Sequence, residues 1–405
     1  MKGVVKIVDY RFSEEQELFR ESIKEFCASE IIPKTKKLEG AKKMPEDIIK
    51  ALAKFELLGM VVDPEYGGLG TDVVTAGIAA EELARADSSC AIPVLFLVET
   101  SWGHLLDKYG TEKAKKEIFP KVIKGEQFLG IATTESDIGS DLGSMKTKIS
   151  KKGNKYIING EKMYISGVAE AMEYGGGHVT LARMKPELGT RGMCMFYLPL
   201  KDTPGITPTY IEDIGREGIS CGGFDIKNVE IPEHYLLAEE NKGFYIVHEG
   251  YELARGLIAL VCAGAASKAL DNGIAYIKER RAFGRAIGKY EGIQFKLAEH
   301  HVRIQALREL GYKALWTYDQ EIHGKASRFD VSMAIAMAKS VAPIWSFDAI
   351  NDVMQWQGAF GYTKECEDQK AWRGVRSFTL AEGSSEIMKL IVARELLGKE
   401  FLAYR

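Results

Sequence analysis

The order of residue patterns along the chain constrains the fold more than any other feature of the sequence. Residues up to about 126 repeat apolar side chains at helical spacing, and long stretches after about 240 do so again. Between them, short β-branched and aromatic runs alternate with turn residues, which is typical of strands. We therefore predict a mostly α protein with a central β domain, divided into domains at 1–126, 127–240 and 241–405.

Helix signals are specific enough to place individual elements. Ser13 is followed three residues later by Gln16, the spacing of a capping box at a helix start. A loop at 63–70 contains Pro64 and three glycines. The apolar spacing predicts helices over 46–58, 74–85, 95–109, 243–280, 290–323, 328–358 and 384–397.

The β domain contains one strong turn signal. Asn159-Gly160 separates two β-branched runs, 155–158 and 161–166, and this dipeptide favours a two-residue hairpin turn. We predict a hairpin there and further strands from about 128 and at 178–183, 193–198, 207–211 and 224–231.

Composition argues against several function classes. The net charge is only −3, from 54 basic and 57 acidic residues, so we expect neither nucleic-acid binding nor attraction to a charged surface. The longest apolar run, Leu257–Ala266, is half the roughly 20 residues of a membrane span, and it indicates a core helix rather than membrane insertion. Met1–Lys6 has no signal-peptide core, so we expect a cytoplasmic protein.

Metal binding and disulfides are also not expected. The six cysteines form no CxxC pair, a pattern typical of reduced thiols. His300 and His301 are adjacent, and neighbours on a helix point to different sides. A surplus of glycine, 41 residues against 11 prolines, instead predicts loops whose backbone closely approaches a ligand.

Three segments contain residues that local structure does not explain. Residues 131–141 place hydroxyls and small side chains at the entry to the β domain, suited to a polar ligand, although a capped loop is the alternative. Residues 355–362 place two glycines after a long helix, and C-capping explains one. In 381–386, an N-cap at Ser384 and the helix dipole account for Ser384 and Glu386, but not for Glu382.

The whole chain resembles the FAD-dependent acyl-CoA dehydrogenases. The likeness rests on six motifs in the family's order: PEYGGLG at Pro64–Gly70, TTESDIGSD at Thr133–Asp141, KMYIS at Lys162–Ser166, ERRAFGRAI at Glu279–Ile287, QWQGAFGY at Gln355–Tyr362 and AEGSSEI at Ala381–Ile387. The resemblance implies a helical N-terminal domain, a middle β-barrel or sandwich domain and a C-terminal four-helix bundle.

The same resemblance implies FAD as cofactor and a homotetramer, a dimer of dimers, whose subunits complete each other's sites. The residues that match cofactor-binding positions within one subunit are Ile131, Thr133, Thr134, Gly139, Ser140, Tyr164, Ser166, Ser384 and Glu386. Those that would reach a neighbouring subunit's cofactor are Arg280, Phe283, Gln355, Gly358 and Ala359.

An acyl-CoA thioester is the substrate that the resemblance implies. Positions near it match Ser140, Tyr251, Glu252, Arg255, Ala381 and Gly383. Glu382 matches the catalytic base, which removes the α-proton while flavin N5 accepts the β-hydride, and its N–H with a ribityl hydroxyl would hold the thioester oxygen. A carboxylate desolvated by flavin and thioester has its pKa raised toward neutrality, as a base requires. Electrons would pass to an electron-transferring flavoprotein.

Four positions sharpen this interpretation. Some members of the family carry the base beside the arginine matching Arg255, but that neighbour is Ala254, so we assign the base to Glu382. Glu291 replaces a glutamine common near the cofactor, and Ala359 replaces a glycine. Ala381 replaces a larger residue, often tyrosine, before the base, which opens the wall of the acyl pocket.

An opened wall favours an acyl group with a branch or ring near the α or β carbon. With the unusual Gly175–Gly177 loop, it suggests (R)-2-benzylsuccinyl-CoA, oxidised to benzylidenesuccinyl-CoA in anaerobic toluene degradation. A dicarboxylic substrate needs a cation in the pocket, but the arginine position of glutaryl-type members is Ala91. Alternatives are a short-chain, medium-chain or cyclic acyl-CoA dehydrogenase, an oxygen-reactive flavin oxidase or monooxygenase, and a non-catalytic assembly protein.

Overall fold

The computed structural model describes residues 12–401. The prediction about targeting drawn from Met1–Lys6 therefore lies outside the described residues. Within them the order of elements is helical, β and helical, which confirms the predicted fold class.

The N-terminal helices pack around a common core. Ser13 accepts from the N–H of Gln16 and the Gln16 side chain accepts from the N–H of Ser13, so the predicted capping box is present. The helices are α1 (Glu14–Phe26), α2 (Glu46–Lys54), α3 (Val73–Ala86), α4 (Ala91–Tyr109) and α5 (Glu112–Val122).

Helix α2 ends earlier than the apolar pattern predicts. Its last residue is Lys54, and Glu56 has a φ of +58°, a left-handed conformation that cannot continue an α-helix. Leu57 and Leu58 are nevertheless buried. The apolar residues at the end of the pattern therefore belong to the core without belonging to the helix.

The middle of the chain forms one eight-stranded mixed sheet in the order β6-β7-β3-β2-β4-β5-β8. Strand β1 pairs in parallel with the first part of β4, and β2 meets the end of β4, also in parallel. The strands are β1 (Phe128–Ala132), β2 (Lys148–Lys152), β3 (Lys155–Ser166), β4 (Gly176–Arg183), β5 (Met193–Pro199), β6 (Ile206–Ile211), β7 (Cys221–Pro232) and β8 (Leu236–Leu237), with helix α6 (Val168–Glu173) between β3 and β4.

The predicted hairpin at Asn159-Gly160 is wrong. The tight turn lies at Gly153-Asn154, which joins β2 to β3, and β3 runs through Asn159 and Gly160 without reversing. A bulge in the pairing of β3 with β7 occurs there, and Asn159 Oδ1 accepts from the N–H of Asn228 at 2.8 Å. A Cβ at Gly160 would lie 2.5 Å from Thr147 Oγ1. The dipeptide therefore serves a bulge and a close strand approach.

The glycines at the start of β4 are explained by backbone packing rather than by a ligand. Gly176 has a φ of +96°, and a Cβ there would lie 2.0 Å from the carbonyl oxygen of Phe128. A Cβ at Gly177 would lie 2.0 Å from the carbonyl oxygen of Leu198. The first two residues of β4 therefore need to be glycine so that the strand can lie between its neighbours in the sheet.

The C-terminal helices form a bundle in which α9 packs on α7, α8 and α11, and α8 also packs on α7. A short hairpin of β9 (Arg281–Ala282) and β10 (Arg285–Ala286) precedes α8. The helices are α7 (Gly243–Glu279), α8 (Glu291–Ile322), α9 (Arg328–Trp356), α10 (Asp368–Ser377) and α11 (Ser385–Leu397).

Helices α7 and α9 are long and apolar enough to cross a membrane by length and composition. In the fold, 89% of the most apolar window of α7 and 61% of that of α9 are buried inside the protein. A helix that is apolar on most of its circumference is expected at the centre of a bundle. Both are therefore core helices of this domain.

Candidate active site

A cavity of about 770 Å³ lies where the sheet meets α4, α7 and the turn between α10 and α11. Most residues predicted to bind cofactor or substrate line this one cavity, although they come from distant parts of the chain. They are Ile131, Thr133, Thr134, Gly139, Ser140, Tyr164, Ser166, Tyr251, Arg255, Ala381, Glu382, Gly383 and Ser384.

The remaining predicted residues lie outside the cavity. Glu252 faces away from it and is held by Ser332 and Arg328. The other residues are exposed on the outer face of the C-terminal domain, and Phe283 is 96% exposed. These others are Arg280, Phe283, Gln355, Gly358, Ala359 and Glu386.

The two departures that concern the cofactor are also exposed. Glu291 is the first residue of α8, and Ala359 has an ordinary right-handed conformation with a φ of −59°. No strain therefore results from alanine at position 359.

Glu382 occupies the turn that connects α10 to α11. Its φ is +55°, and the next residue, Gly383, has a φ of +90°, so two successive residues are left-handed before Ser384 caps α11. A left-handed glutamate is uncommon and costs conformational energy, which makes such a residue a candidate functional position. This conformation directs the Glu382 side chain into the cavity.

The Glu382 carboxylate is held in an unusual electrostatic state. Its Oε2 atom is buried and has no hydrogen-bond partner among the described residues. Burial raises the pKa of Glu382 to about 7, while the positive charges of Arg255 and Lys339 oppose the rise. An unpaired carboxylate with a pKa near neutrality can accept a proton from a bound ligand.

Two buried cations fix the backbone of this turn. Arg255 Nε donates to the carbonyl oxygen of Glu382 at 2.7 Å, and Lys339 Nζ donates to the carbonyl oxygen of Gly383. Among the described residues, the N–H of Glu382 has no intramolecular acceptor, so it remains available to a ligand.

Sequence reasoning missed Lys339. Its side chain is fully buried, and burial lowers the pKa of Lys339 to about 8, with repulsion from Arg255 acting in the same direction. A signal was present, because Lys339 is the one charged residue in the otherwise uncharged stretch 331–347 of a predicted helix. A lysine in such a stretch is rarely buried without a specific partner.

The middle-domain wall of the cavity is braced by a second buried lysine. Lys162 Nζ lies 3.0 Å from the carbonyl oxygen of Thr133 and 3.3 Å from Glu135 Oε1. Glu135 also accepts from the N–H groups of Lys146 and Thr147 at 2.7 and 2.8 Å. The start of the loop that follows β1 is therefore fixed to β3 at Thr133 and Glu135, and it presents the Thr133 and Thr134 side chains to the cavity.

The pKa shifts of Lys162 and Glu135 are those expected of a buried ion pair. Burial lowers the pKa of Lys162 to about 8, although the charge of Glu135 acts to raise it. Burial alone would raise the pKa of Glu135, but Lys162 and the hydrogen bonds to its carboxylate bring it below the usual value.

Tyr251 connects the two walls. Its hydroxyl lies 2.6 Å from Thr133 Oγ1, and the Arg255 guanidinium lies 5.2 Å from the centre of its ring. Trp102 of α4 packs edge-on against the same ring. One turn earlier, His248 also lines the cavity, and burial lowers its pKa to about 4, so its imidazole is neutral at pH 7. His248 was not predicted from the sequence.

The cavity has an apolar end, which was also not predicted. Val94, Leu97 and Val98 on one face of α4 oppose Ile258 of α7, and the small side chain of Ala381 completes the wall beside Glu382. The i, i+3, i+4 spacing on α4 indicates a buried face, but only the fold shows that part of it borders an open cavity.

The donor set fits a flat aromatic cofactor rather than a metal ion. Among residues 12–401, no group of three or more histidine, cysteine, aspartate or glutamate side chains forms a metal site, and all six thiols are free and buried. Tyr164, with a φ of +60°, leaves its ring 62% exposed at the cavity. An exposed ring beside the Thr134 and Ser166 hydroxyls suits a heteroaromatic ring with polar edges, as the resemblance to flavin enzymes implies.

The chain is similar to known proteins over nearly its whole length. Models of the acyl-CoA dehydrogenase N-terminal, middle and C-terminal domains match residues 13–126, 130–229 and 241–397. An acyl-CoA dehydrogenase of Bacillus subtilis is 33% identical over 95% of this chain and 99% of its own. A 3-(aryl)acrylate reductase of Clostridium sporogenes is 30% identical over 95% of this chain and 99% of its own.

A solved structure shows the same architecture. A chain in the structure of the electron transferring flavoprotein of Acidaminococcus fermentans superposes with a TM-score of 0.88 at 28% identity. The match covers 96% of the present chain and 100% of the other.

Proposed function

The chain belongs to the acyl-CoA dehydrogenase family, and we propose that Glu382 is the base with which it oxidises the α,β-bond of an acyl-CoA thioester. The protein is an oxidoreductase acting on CH–CH bonds, and its cofactor is FAD. The observation that carries the assignment of the base is the buried, unpaired Oε2 of Glu382 with its pKa near 7.

The cofactor-binding role falls to the middle-domain wall. Thr133, Thr134, Tyr164 and Ser166 would hold the flavin ring, and Ser384 would bind the chain that continues from it. FAD supplies the acceptor for the hydride that leaves the β carbon, a step that no protein side chain performs. The Lys162–Glu135 pair keeps this wall rigid, because it fixes the loop from which Thr133 and Thr134 extend.

Removal of the α-proton falls to Glu382, on the wall of the cavity opposite the middle domain. With its pKa near 7, a substantial share of Glu382 is ionised at neutral pH and ready to accept the α-proton at Oε2. A positioned base of this kind contributes about 10²- to 10⁴-fold to the rate. The free N–H of Glu382 lies on the same turn and would donate to the thioester oxygen, where negative charge develops as the proton leaves.

Arg255 and Lys339 keep these two groups in place. They hold the carbonyls of Glu382 and Gly383, and so they fix the turn that carries the N–H and the cavity-lining carboxylate of Glu382. Their positive charges also prevent the pKa of Glu382 from rising further, which would leave the base protonated at neutral pH.

We propose a branched or ring-bearing acyl group. Support comes from Ala381, whose small side chain leaves room beside the base, from the apolar face of α4, and from the likeness to a 3-(aryl)acrylate reductase. (R)-2-Benzylsuccinyl-CoA, oxidised to benzylidenesuccinyl-CoA, is our specific candidate. An electron-transferring flavoprotein is the proposed electron acceptor, supported by the similarity to a chain from the Acidaminococcus fermentans structure.

We further propose a homotetramer. Its support is the exposure of Arg280, Phe283, Gln355 and Gly358 outside the cavity of their own chain, where a neighbouring subunit can meet them. The mass measured by light scattering distinguishes a tetramer from a dimer or monomer.

Anaerobic titration of the purified flavoprotein tests the activity. Each acyl-CoA of a panel is added in turn, and loss of the oxidised flavin absorbance is recorded; we expect (R)-2-benzylsuccinyl-CoA and 3-phenylpropionyl-CoA to reduce the flavin faster than butyryl-CoA or octanoyl-CoA. Reduction by none of the four would refute acyl-CoA dehydrogenation. Faster reduction by the straight-chain thioesters would refute only the ring-bearing substrate.

A further inference from the structure

The cavity contains a cation that neither the family motifs nor the proposed chemistry uses. Arg216 lies in the turn between β6 and β7, with a φ of +61°, and its side chain lines the cavity. Within residues 12–401 its one ion pair is with Asp213, whose Oδ2 is 2.6 Å from the Nη2 atom of Arg216. The Nε atom of Arg216 is buried and has no hydrogen-bond partner among the described residues.

The turn that carries Arg216 is fixed against α10. A Cβ at Gly215 would lie 2.8 Å from backbone and side-chain carbons of Arg373, so the two segments are in close contact. Arg373 donates to the carbonyl oxygen of Ile214 at 2.8 Å and pairs with Glu217 at 2.8 Å. Arg216 is thus presented to the cavity by an anchored turn rather than by a free loop.

The charge of Arg216 influences residues other than those of the catalytic turn. The charges that influence the pKa of Glu382 are those of Arg255 and Lys339. The charge of Arg216 instead acts on Cys90, which precedes α4, and on Cys221, which begins β7. Cys90 adjoins Ala91, one turn before Val94 in the apolar face of the cavity. The Arg216 guanidinium therefore lies on the side of the cavity near the start of α4.

A buried guanidinium N–H without an acceptor is unfavourable unless a ligand supplies one. The guanidinium fork matches a carboxylate, which accepts two parallel N–H bonds. Asp213 accepts from Nη2, which shares one edge of the guanidinium with Nε, and no acceptor for Nη1 is present among the described residues, so Nη1 is left for a second acceptor.

We propose that Arg216 binds a carboxylate carried by the acyl group, so that the enzyme selects the CoA monothioester of a dicarboxylic acid. This inference rests on the proposed acyl-CoA dehydrogenation and names the substrate class for it. Ala91, at the start of α4, occupies the position where glutaryl-type members carry an arginine, and its small apolar side chain cannot bind the carboxylate of a dicarboxylic substrate. The fold brings the cation to that region from the turn between β6 and β7 instead.

A matched substrate pair isolates the contribution of the carboxylate. Steady-state turnover with an artificial electron acceptor is measured over a range of concentrations of (R)-2-benzylsuccinyl-CoA and of its methyl ester, which lacks the negative charge. We expect the wild-type kcat/KM for the acid to exceed that for the ester at least about tenfold. Arg216→Gln is expected to abolish this preference by lowering only the rate constant for the acid.

Two further variants complete the experiment. Arg191→Gln removes an exposed arginine of the same domain that does not line the cavity, and it is expected to keep the wild-type preference. Arg216→Lys keeps the charge but not the fork, and it is expected to retain only part of the preference, which also covers the case in which Arg216→Gln fails to fold.

An equal or greater kcat/KM for the ester in the wild type, or a preference unchanged in both Arg216 variants, would overturn the inference while leaving acyl-CoA dehydrogenation intact. Failure of both thioesters and of straight-chain acyl-CoA to reduce the flavin would refute the proposed function itself.

Discussion

The two walls of the cavity each contain a fully buried lysine, and the two lysines have different partners. Both donate to a backbone carbonyl, Lys162 to that of Thr133 and Lys339 to that of Gly383, but only Lys162, in the middle domain, is also paired with a carboxylate, that of Glu135, among the described residues. Burial lowers the pKa of each to about 8. Lys162 completes an ion pair that holds a loop, and Lys339 places a positive charge and a hydrogen bond on the turn that carries the base.

The comparison predicts the largest loss of stability at Lys162. Lys162→Met leaves Glu135 buried without its counter-charge, and breaking a buried pair in this way costs about 3–5 kcal/mol. We expect a clear fall in the urea midpoint of unfolding, followed by circular dichroism, and weakened FAD retention, because Thr133 and Thr134 lose their brace. The double variant Lys162→Met/Glu135→Gln removes both charges while it keeps a side-chain oxygen for the N–H groups of Lys146 and Thr147, and it is the control.

If the double variant is no more stable than Lys162→Met, the ion pair is not what holds this wall. A similar loss of stability in Lys339→Met would contradict the distinction between the two lysines.

Lys339→Met should change catalysis more than stability. The substitution preserves side-chain volume and removes a charge that is costly to bury, so we expect the free energy of unfolding to change by about 1 kcal/mol or less. Loss of the bond to Gly383 loosens the catalytic turn, and we expect flavin reduction to slow about 10- to 100-fold. The positive charge of Lys339 lowers the pKa of Glu382, so its removal should move the acidic limb of the pH profile of kcat/KM to higher pH.

An unchanged pH profile and rate in Lys339→Met would show that Lys339 is only a core residue. Lys389→Met, on the exposed side of α11, removes a positive charge outside the cavity and serves as the matched control.

The smallest expected effect concerns the bond between the two walls. Tyr251→Phe removes the hydroxyl that lies 2.6 Å from Thr133 Oγ1, and Thr133→Val removes the other partner. A double-mutant cycle on the unfolding midpoint should give a coupling of about 1 kcal/mol. A coupling near zero would mean that each hydroxyl interacts separately and that the walls are joined by packing alone.

The positions of most helices and strands could be predicted from local sequence patterns. Apolar spacing placed α3, α4 and the long helices of the bundle within a few residues, and the capping box at Ser13 is present. Where tertiary packing overrules a local signal, prediction was wrong. Asn159-Gly160 is a hairpin signal, yet these residues lie inside β3, because Gly160 faces Thr147 at a distance that admits no side chain.

Glu382 was predicted because capping explained its neighbours and left it unexplained. Lys339 and Arg216 were missed because their roles depend on contacts with residues far along the chain. The glycine surplus was explained only in part: Gly383 belongs to the catalytic turn, but Gly361 is packed against Met354 and Gly176 against Phe128. A count of glycines cannot distinguish a ligand from a neighbouring strand or helix.

The pH dependence of anaerobic flavin reduction, measured in the wild type and in Glu382→Gln with the best acyl-CoA substrate, tests the central claim most directly. Glu382 must be ionised to accept the α-proton, so the wild-type second-order rate constant of flavin reduction should rise with pH through a midpoint near 7 and then level off. Glu382→Gln should still bind FAD and acyl-CoA while flavin reduction falls by about 10²- to 10⁴-fold and loses this rise. Reduction at the wild-type rate in Glu382→Gln, with the same midpoint, would show that another group is the base.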